Sequence, residues 1–158
     1  MRRGIQRFLL VAGIIITASI LFVACKKSKN NYEMTYNMSG DVNFSWTTDN
    51  PGGAILNDTL LVSGKLKDKS ACTLIIAGSS PGTYEFSLDQ TTTQALLTIN
   101  TDGSKTPQSN YFSIGGNVTI LDNNTDSKVI SGVFTAVAVN LAADSVTVDG
   151  TFTSKYVK

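Results

Sequence analysis

From residue 32 onward, apolar and polar side chains alternate with a period of two. Tyr32, Met34, Tyr36 and Met38 share one face of a first segment, and Val42, Phe44 and Trp46 share one face of a second. That rhythm predicts half-buried antiparallel strands. Similar segments run from Asp58 to Leu66, Ser70 to Ala77, Thr83 to Leu88, Gln94 to Asn100, Tyr111 to Leu121, and Ser145 to Ser154. Ala54-Ile55-Leu56 reads as a short strand or one turn of helix. Turn residues punctuate the series at Ser39-Gly40-Asp41, Asn50-Pro51-Gly52-Gly53, Gly78 to Gly82, and Asp122 to Lys128. Gly115-Gly116 interrupts a long strand, as a bulge or a close backbone approach does.

Val129 to Val139 departs from clean alternation, being apolar on both parities. This predicts burial on both sides or a register break partway. Gly132-Val133-Phe134-Thr135 and Gly150-Thr151-Phe152-Thr153 share a Gly-x-Phe-Thr pattern and read as cross-strand neighbours. No amphipathic helix of useful length appears, and no connection is long enough for a crossover helix. The expected fold is all-β: an antiparallel β-sandwich or a closed meander barrel of eight to nine strands, in one domain over residues 32–158.

The first 31 residues follow different rules. Arg2, Arg3 and Arg7 form a basic head, Phe8 to Val23 an apolar run, and Ala24 a small residue before Cys25. That order describes a secretory signal peptide. The run is about 16 residues, short against the roughly 20 that a spanning helix requires. Ala24-Cys25 resembles the lipobox of bacterial lipoproteins, although Phe22 stands where Leu is usual. The resemblance implies removal of residues 1–24, palmitate-type acylation of Cys25, and a short polar tether over 25–31. Two or more acyl chains anchor stably where one does not.

Composition narrows the function. Cleavage leaves 134 residues, enough for one domain with a real core. All three arginines leave with the signal, and the mature chain carries 10 basic and 12 acidic side chains. That balance argues against nucleic acid as a partner. Lys65, Lys67 and Lys69 read as a solvated hairpin tip, with a patch for anionic partners as the alternative. Cys72 is the one cysteine left after Cys25, so no intramolecular disulfide forms; in phase with Leu74 and Ile76, it reads as a small buried hydrophobe.

The chain contains no histidine. Ser-His-Asp and Cys-His nucleophiles are thereby excluded, and a zinc site lacks its usual ligands. No phosphate-binding glycine loop is present. Asp122, Asn124 and Asp126 have the one-three-five oxygen spacing of a calcium loop. Ser127 and Val133 stand where that loop wants Gly and Glu, so an Asx-rich turn is the competing reading. Glu33 and Glu85 are the only glutamates, and most aspartates lie in turn contexts. Paired carboxylates for glycoside hydrolysis therefore find little support, and no enzyme and no cofactor are expected.

A binding face remains. Trp46, Tyr84, Tyr32 and Tyr36 would form it if exposed, with a glycan or peptide as ligand. If instead Trp46 follows Val42 and Phe44 inward, it is core. The many Thr, Ser and Asn side chains suit either a sugar-facing strand surface or an ordinary solvated one.

The lipobox with Cys25-Lys26-Lys27, the Gly82-Thr83-Tyr84 strand, Val118-Thr119-Ile120, Val129 to Phe134, and Val148 to Phe152 occur in a familiar order. Together they resemble the small uncharacterised lipoproteins of Bacteroidota, domains of unknown function with a lipocalin-like or sandwich fold. The resemblance implies a cell-envelope protein anchored to a membrane, the outer more than the inner, with no assigned activity. The competing functions are a structural or adhesive subunit that pairs through an edge strand, and a barrel that holds a small apolar ligand.

Overall fold

The computed structural model describes residues 32–87 and 94–158. The signal peptide 1–24, Cys25 with the 25–31 tether, and Leu88 of the Thr83–Leu88 segment lie outside the described residues. Ten strands follow in chain order: β1 Glu33–Gly40, β2 Phe44–Thr48, β3 Gly52–Leu56, β4 Thr59–Lys65, β5 Ala71–Ile76, β6 Gly82–Glu85, β7 Ala95–Asn100, β8 Asn110–Asn124, β9 Val129–Asn140 and β10 Ser145–Val157. One 3₁₀ turn, Pro107–Ser109, interrupts them.

The fold is all-β, as the alternation predicts, with one strand more than the upper end of the count. The extra strand is β3, which the sequence left open between strand and helix. It joins β4 through Asn57 and Asp58, both at positive φ, the conformation of a two-residue type I′ hairpin. Asp58 therefore belongs to the turn rather than to the strand.

The sheet closes on itself. β3, β4, β5, β7, β8, β9 and β10 pair neighbour to neighbour, and β10 returns to β3. Every neighbouring pair in this ring is antiparallel except the closing pair, where Lys155 to Val157 run parallel to Gly52 to Ala54. The parallel joint is a matter of parity. Seven strands of alternating direction cannot close without two equal neighbours. The same edge of β10 serves β1 first, from Val146 to Thr153, and then β3. β2 pairs with β1, and β6 pairs with the part of β8 that β7 leaves free.

One parity of each strand fills the interior. Met34, Tyr36, Trp46, Leu60, Val62, Cys72, Leu74, Leu97, Ile130, Phe134, Val148 and Phe152 belong to a single buried cluster. Burial of such side chains contributes about 1.5–3 kcal/mol each.

Val129 to Val139 corrects an expectation. The strand is not buried on both sides and has no break in its inward parity. Ile130, Gly132, Phe134, Ala136 and Ala138 are buried, while Val133 and Val137 are exposed. The outward valines suit a pleated surface, where β-branched side chains are favoured. The irregularity lies in the partner: β8 shifts register between Ser113 and Gly115 and again between Ile120 and Asp122. Gly116 sits beside the first shift at φ +100°, where a Cβ would collide with the Thr135–Ala136 backbone.

Candidate functional site

Six strands present their outward side chains as one continuous surface: β6, β8, β9, β10, β1 and β2. Register sets those side chains in rows across the sheet. One row runs Thr83, Thr119, Val133, Thr151, Thr35, Thr47. The next runs Glu85, Asn117, Thr135, Asp149, Asn37, Ser45. Eleven of these twelve side chains are polar, and none is cationic.

Neighbours within a row hydrogen-bond across strands. Thr83 and Thr119 share a bond of 2.9 Å, and Thr35 and Thr47 one of 3.0 Å. Thr135 Oγ1 donates to Asp149 Oδ1 at 2.8 Å, and Ser45 Oγ donates to Asn37 Oδ1 at 2.8 Å. These bonds hold the rotamers in place and leave further donor and acceptor capacity facing solvent. At the centre, Thr35, Asn37, Val133, Thr135, Asp149 and Thr151 surround Gly150 in a depression of about 300 Å³.

The side chains of this surface can both donate and accept hydrogen bonds. Hydroxyls and amides both donate and accept, the Asp149 carboxylate accepts, and Val133 offers a small apolar contact. The two carboxylates of the second row, Glu85 and Asp149, stand three strands apart, about 14 Å at the usual strand spacing. Glycoside hydrolysis wants roughly 5–9.5 Å.

The aromatic residues that the sequence proposed do not form a face. Trp46 and Tyr36 lie inside the barrel, stacked with ring centroids 5.2 Å apart. Trp46 Nε1 donates to Ser70 Oγ at 2.9 Å, and Ser70 Oγ donates to Asp68 Oδ1 at 2.6 Å. This corrects their place in an exposed platform: their parity points inward, and Gly64 on β4 makes room for the indole. Tyr84 is half-buried over Gly78 and donates its hydroxyl to Ser80 O at 2.9 Å. Tyr32, half-exposed, precedes β1. Among the described residues, the Tyr36 hydroxyl has no hydrogen-bond partner, and burial raises its pKa far above the ordinary phenol range, with Cys72 and Asp68 adding to the shift.

Asp122 and Asn124 belong to the end of β8, paired opposite Ser131 and Val129, and Asp126 lies in the following turn. Asn124 Oδ1 accepts the Ser127 N–H at 2.9 Å, a local side-chain-to-backbone bond that closes the turn. Among the described residues, no three His, Cys, Asp or Glu side chains gather where they would hold a metal. Lys65 and Lys67 line a second depression, at the β4–β5 hairpin, but share it with Asp49 and Asp68. The carboxylates offset the lysines, so the site is not a cationic patch.

The polar rows were only partly visible in the sequence. Thr147, Asp149, Thr151 and Thr153 show outward parity there. Their alignment with Asn37 and Thr135 depends on strand order, which alternation does not encode. Among the described residues, no helix is long and apolar enough to cross a membrane.

The model of the family described as Domain of unknown function (DUF6252) matches residues 34–155, and the chain belongs to that family. No curated protein and no solved structure matches the chain.

Proposed function

We propose that this DUF6252 domain is a lipid-anchored module of the bacterial cell envelope that binds and does not catalyse. Cys25 carries the acyl anchor, as the lipobox and the likeness to Bacteroidota lipoproteins imply, and the outer membrane is its site. The ligand is a neutral glycan or an extended peptide, held on the β9–β10–β1 surface. The observation that carries this reading is the depression lined by Thr135, Asp149, Asn37 and Thr35. It combines several hydrogen-bonding groups without a cation, which suits an uncharged polar ligand better than phosphate or nucleic acid.

Array binding of residues 26–158 to glycans and peptides tests it, beside Asp149→Ala and Thr135→Ala. Both side chains are exposed, so both variants should fold. Saturable binding weakened at least about tenfold in either variant, as loss of one charged hydrogen bond predicts, supports the face. Equal binding by wild type and both variants places the ligand elsewhere.

A second reading keeps one specific observation. Among the described strands, β2 pairs only with β1, so its other edge is open. An open edge accepts a partner strand. Concentration-dependent assembly abolished by Ser45→Pro would favour a structural subunit.

A further inference from the structure

The outer surface of the opposite wall has a different character. Register places Val157, Ala54, Leu61, Ile75 and Leu96 in one row across β10, β3, β4, β5 and β7. All five are apolar. Val157 is 69% exposed, and Leu61 and Ile75 are each 38% exposed. Leu56, at the β3–β4 turn beside this row, is 70% exposed. On the other wall, Leu121, Val133 and Val137 are also exposed, but they stand scattered among polar side chains and form no such row.

We infer that this apolar row rests on the lipid bilayer and orients the barrel when Cys25 is anchored. The inference builds on the lipid-anchor reading and adds a second contact to it. The chain enters β1 at Glu33, opposite Thr153, and the row begins four residues further along β10, where Val157 meets Ala54. The tether therefore reaches the barrel at the β10–β3 joint, next to one end of the row.

Lengths agree with this placement. Residues 26–32 reach at most about 25 Å when fully extended. Five strands span about 19 Å from first to last. Every residue of the row thus lies within reach of the lipid attachment point. A contact made under such confinement is favoured by effective concentration rather than by large area.

Ring order supplies the consequence. In a seven-strand ring, the β4–β5 boundary lies opposite β9. A barrel lying on Leu61 and Ile75 points the Thr135 and Asp149 surface away from the membrane. The wall that carries the hydrogen-bonding rows is then the wall that is free to meet a ligand.

The test uses the lipidated full-length product in phosphatidylcholine vesicles. A nitroxide is placed by Ile75→Cys in one protein and by Thr135→Cys in another, each with Cys72→Ala, and Leu61→Cys repeats the measurement should Ile75→Cys misfold. Flotation reports anchoring, and relaxation by oxygen against a water-soluble nickel chelate reports each label's surroundings. The expected result is flotation, with oxygen dominant at position 75 and the nickel chelate dominant at position 135. Flotation with the nickel chelate dominant at both positions overturns the docked barrel and leaves the anchor intact. Absence of flotation overturns the anchor and the docking together. Dipolar broadening between position-75 labels at low surface density shows a second copy on the row, and it also overturns the proposal.

Discussion

Gly132 on β9 stands opposite Phe152 on β10, and a Cβ at Gly132 would come 2.6 Å from the Cζ of that ring. Two residues along, the relation is reversed: Phe134 stands opposite Gly150, whose absent side chain leaves room for the Phe134 ring. Each Gly-x-Phe segment thus accommodates the phenylalanine of the other. Gly132→Ala and Gly150→Ala should each lower stability by about 1–3 kcal/mol through overpacking, read as a shift of the urea midpoint. Phe134→Leu should recover part of the Gly150→Ala loss. Recovery stays partial because Thr35 O also approaches position 150 at 2.6 Å.

The Trp46–Ser70–Asp68 chain predicts a graded series. Trp46→Ala should cost about 3–5 kcal/mol, as truncation of a buried aromatic does. Trp46→Phe should cost less, since it keeps most of the packing and loses the bond to Ser70. Hydrogen bonds from Ser70 hold the Asp68 carboxyl below the ordinary carboxylate range. Its contribution is therefore present above the unfolded value, near about 3.9, and is lost as pH falls through the folded value. In Ser70→Ala, the Asp68 titration followed by NMR should move upward.

Among the described residues, the Tyr36 hydroxyl has no hydrogen-bond partner, and its ring lies inside an apolar cluster. Leaving such a group unsatisfied costs about 1–3 kcal/mol. Tyr36→Phe keeps the ring stacked on Trp46 and removes that penalty, so the melting temperature should rise. An unchanged or lower melting temperature would point to a bound water as partner of the hydroxyl.

Cys72 is fully buried, and burial pushes its thiol far above the ordinary range. The unfolded thiol ionises near about pH 8.5. The folded thiol remains neutral there, so stability is complete below that pH and falls above it, by up to about 1.4 kcal/mol per pH unit. Urea midpoints between about pH 8 and 10 should show this decline, and Cys72→Ala should flatten it. The native thiol should resist a water-soluble disulfide reagent until the chain unfolds.

At Gly116, the φ of +100° and the nearby Thr135–Ala136 backbone act together. Gly116→Ala should destabilise by more than about 1 kcal/mol, beyond the usual cost of a surface change. Gly52→Ala provides the control, because a Cβ there meets nothing within 4 Å.

Much of this fold is written locally. Strand alternation depends only on neighbouring residues, so the inward parity of Met34, Trp46, Cys72, Leu74, Val148 and Phe152 is readable before any folding. The pairing of the two Gly-x-Phe segments is readable for the same reason, since a short turn joins β9 to β10. The outward valines of β9 mislead because β-branched residues suit a strand on either face. The aromatic platform fails because Trp46 and Tyr36 follow their parity into a barrel whose far wall covers them.

Closure belongs to tertiary structure alone. Asp41 Oδ2 accepts the Ser145 N–H at 2.8 Å across 104 residues, and no local pattern specifies that encounter. The parallel β10–β3 joint, the polar rows around Asp149 and the apolar row through Leu61 and Ile75 all arise from such long-range register. The sequence by itself determined which side chains turn inward, because a strand alternates residue by residue. Only the folded ring decided which outward side chains become neighbours, because each row takes its members from strands far apart in the chain.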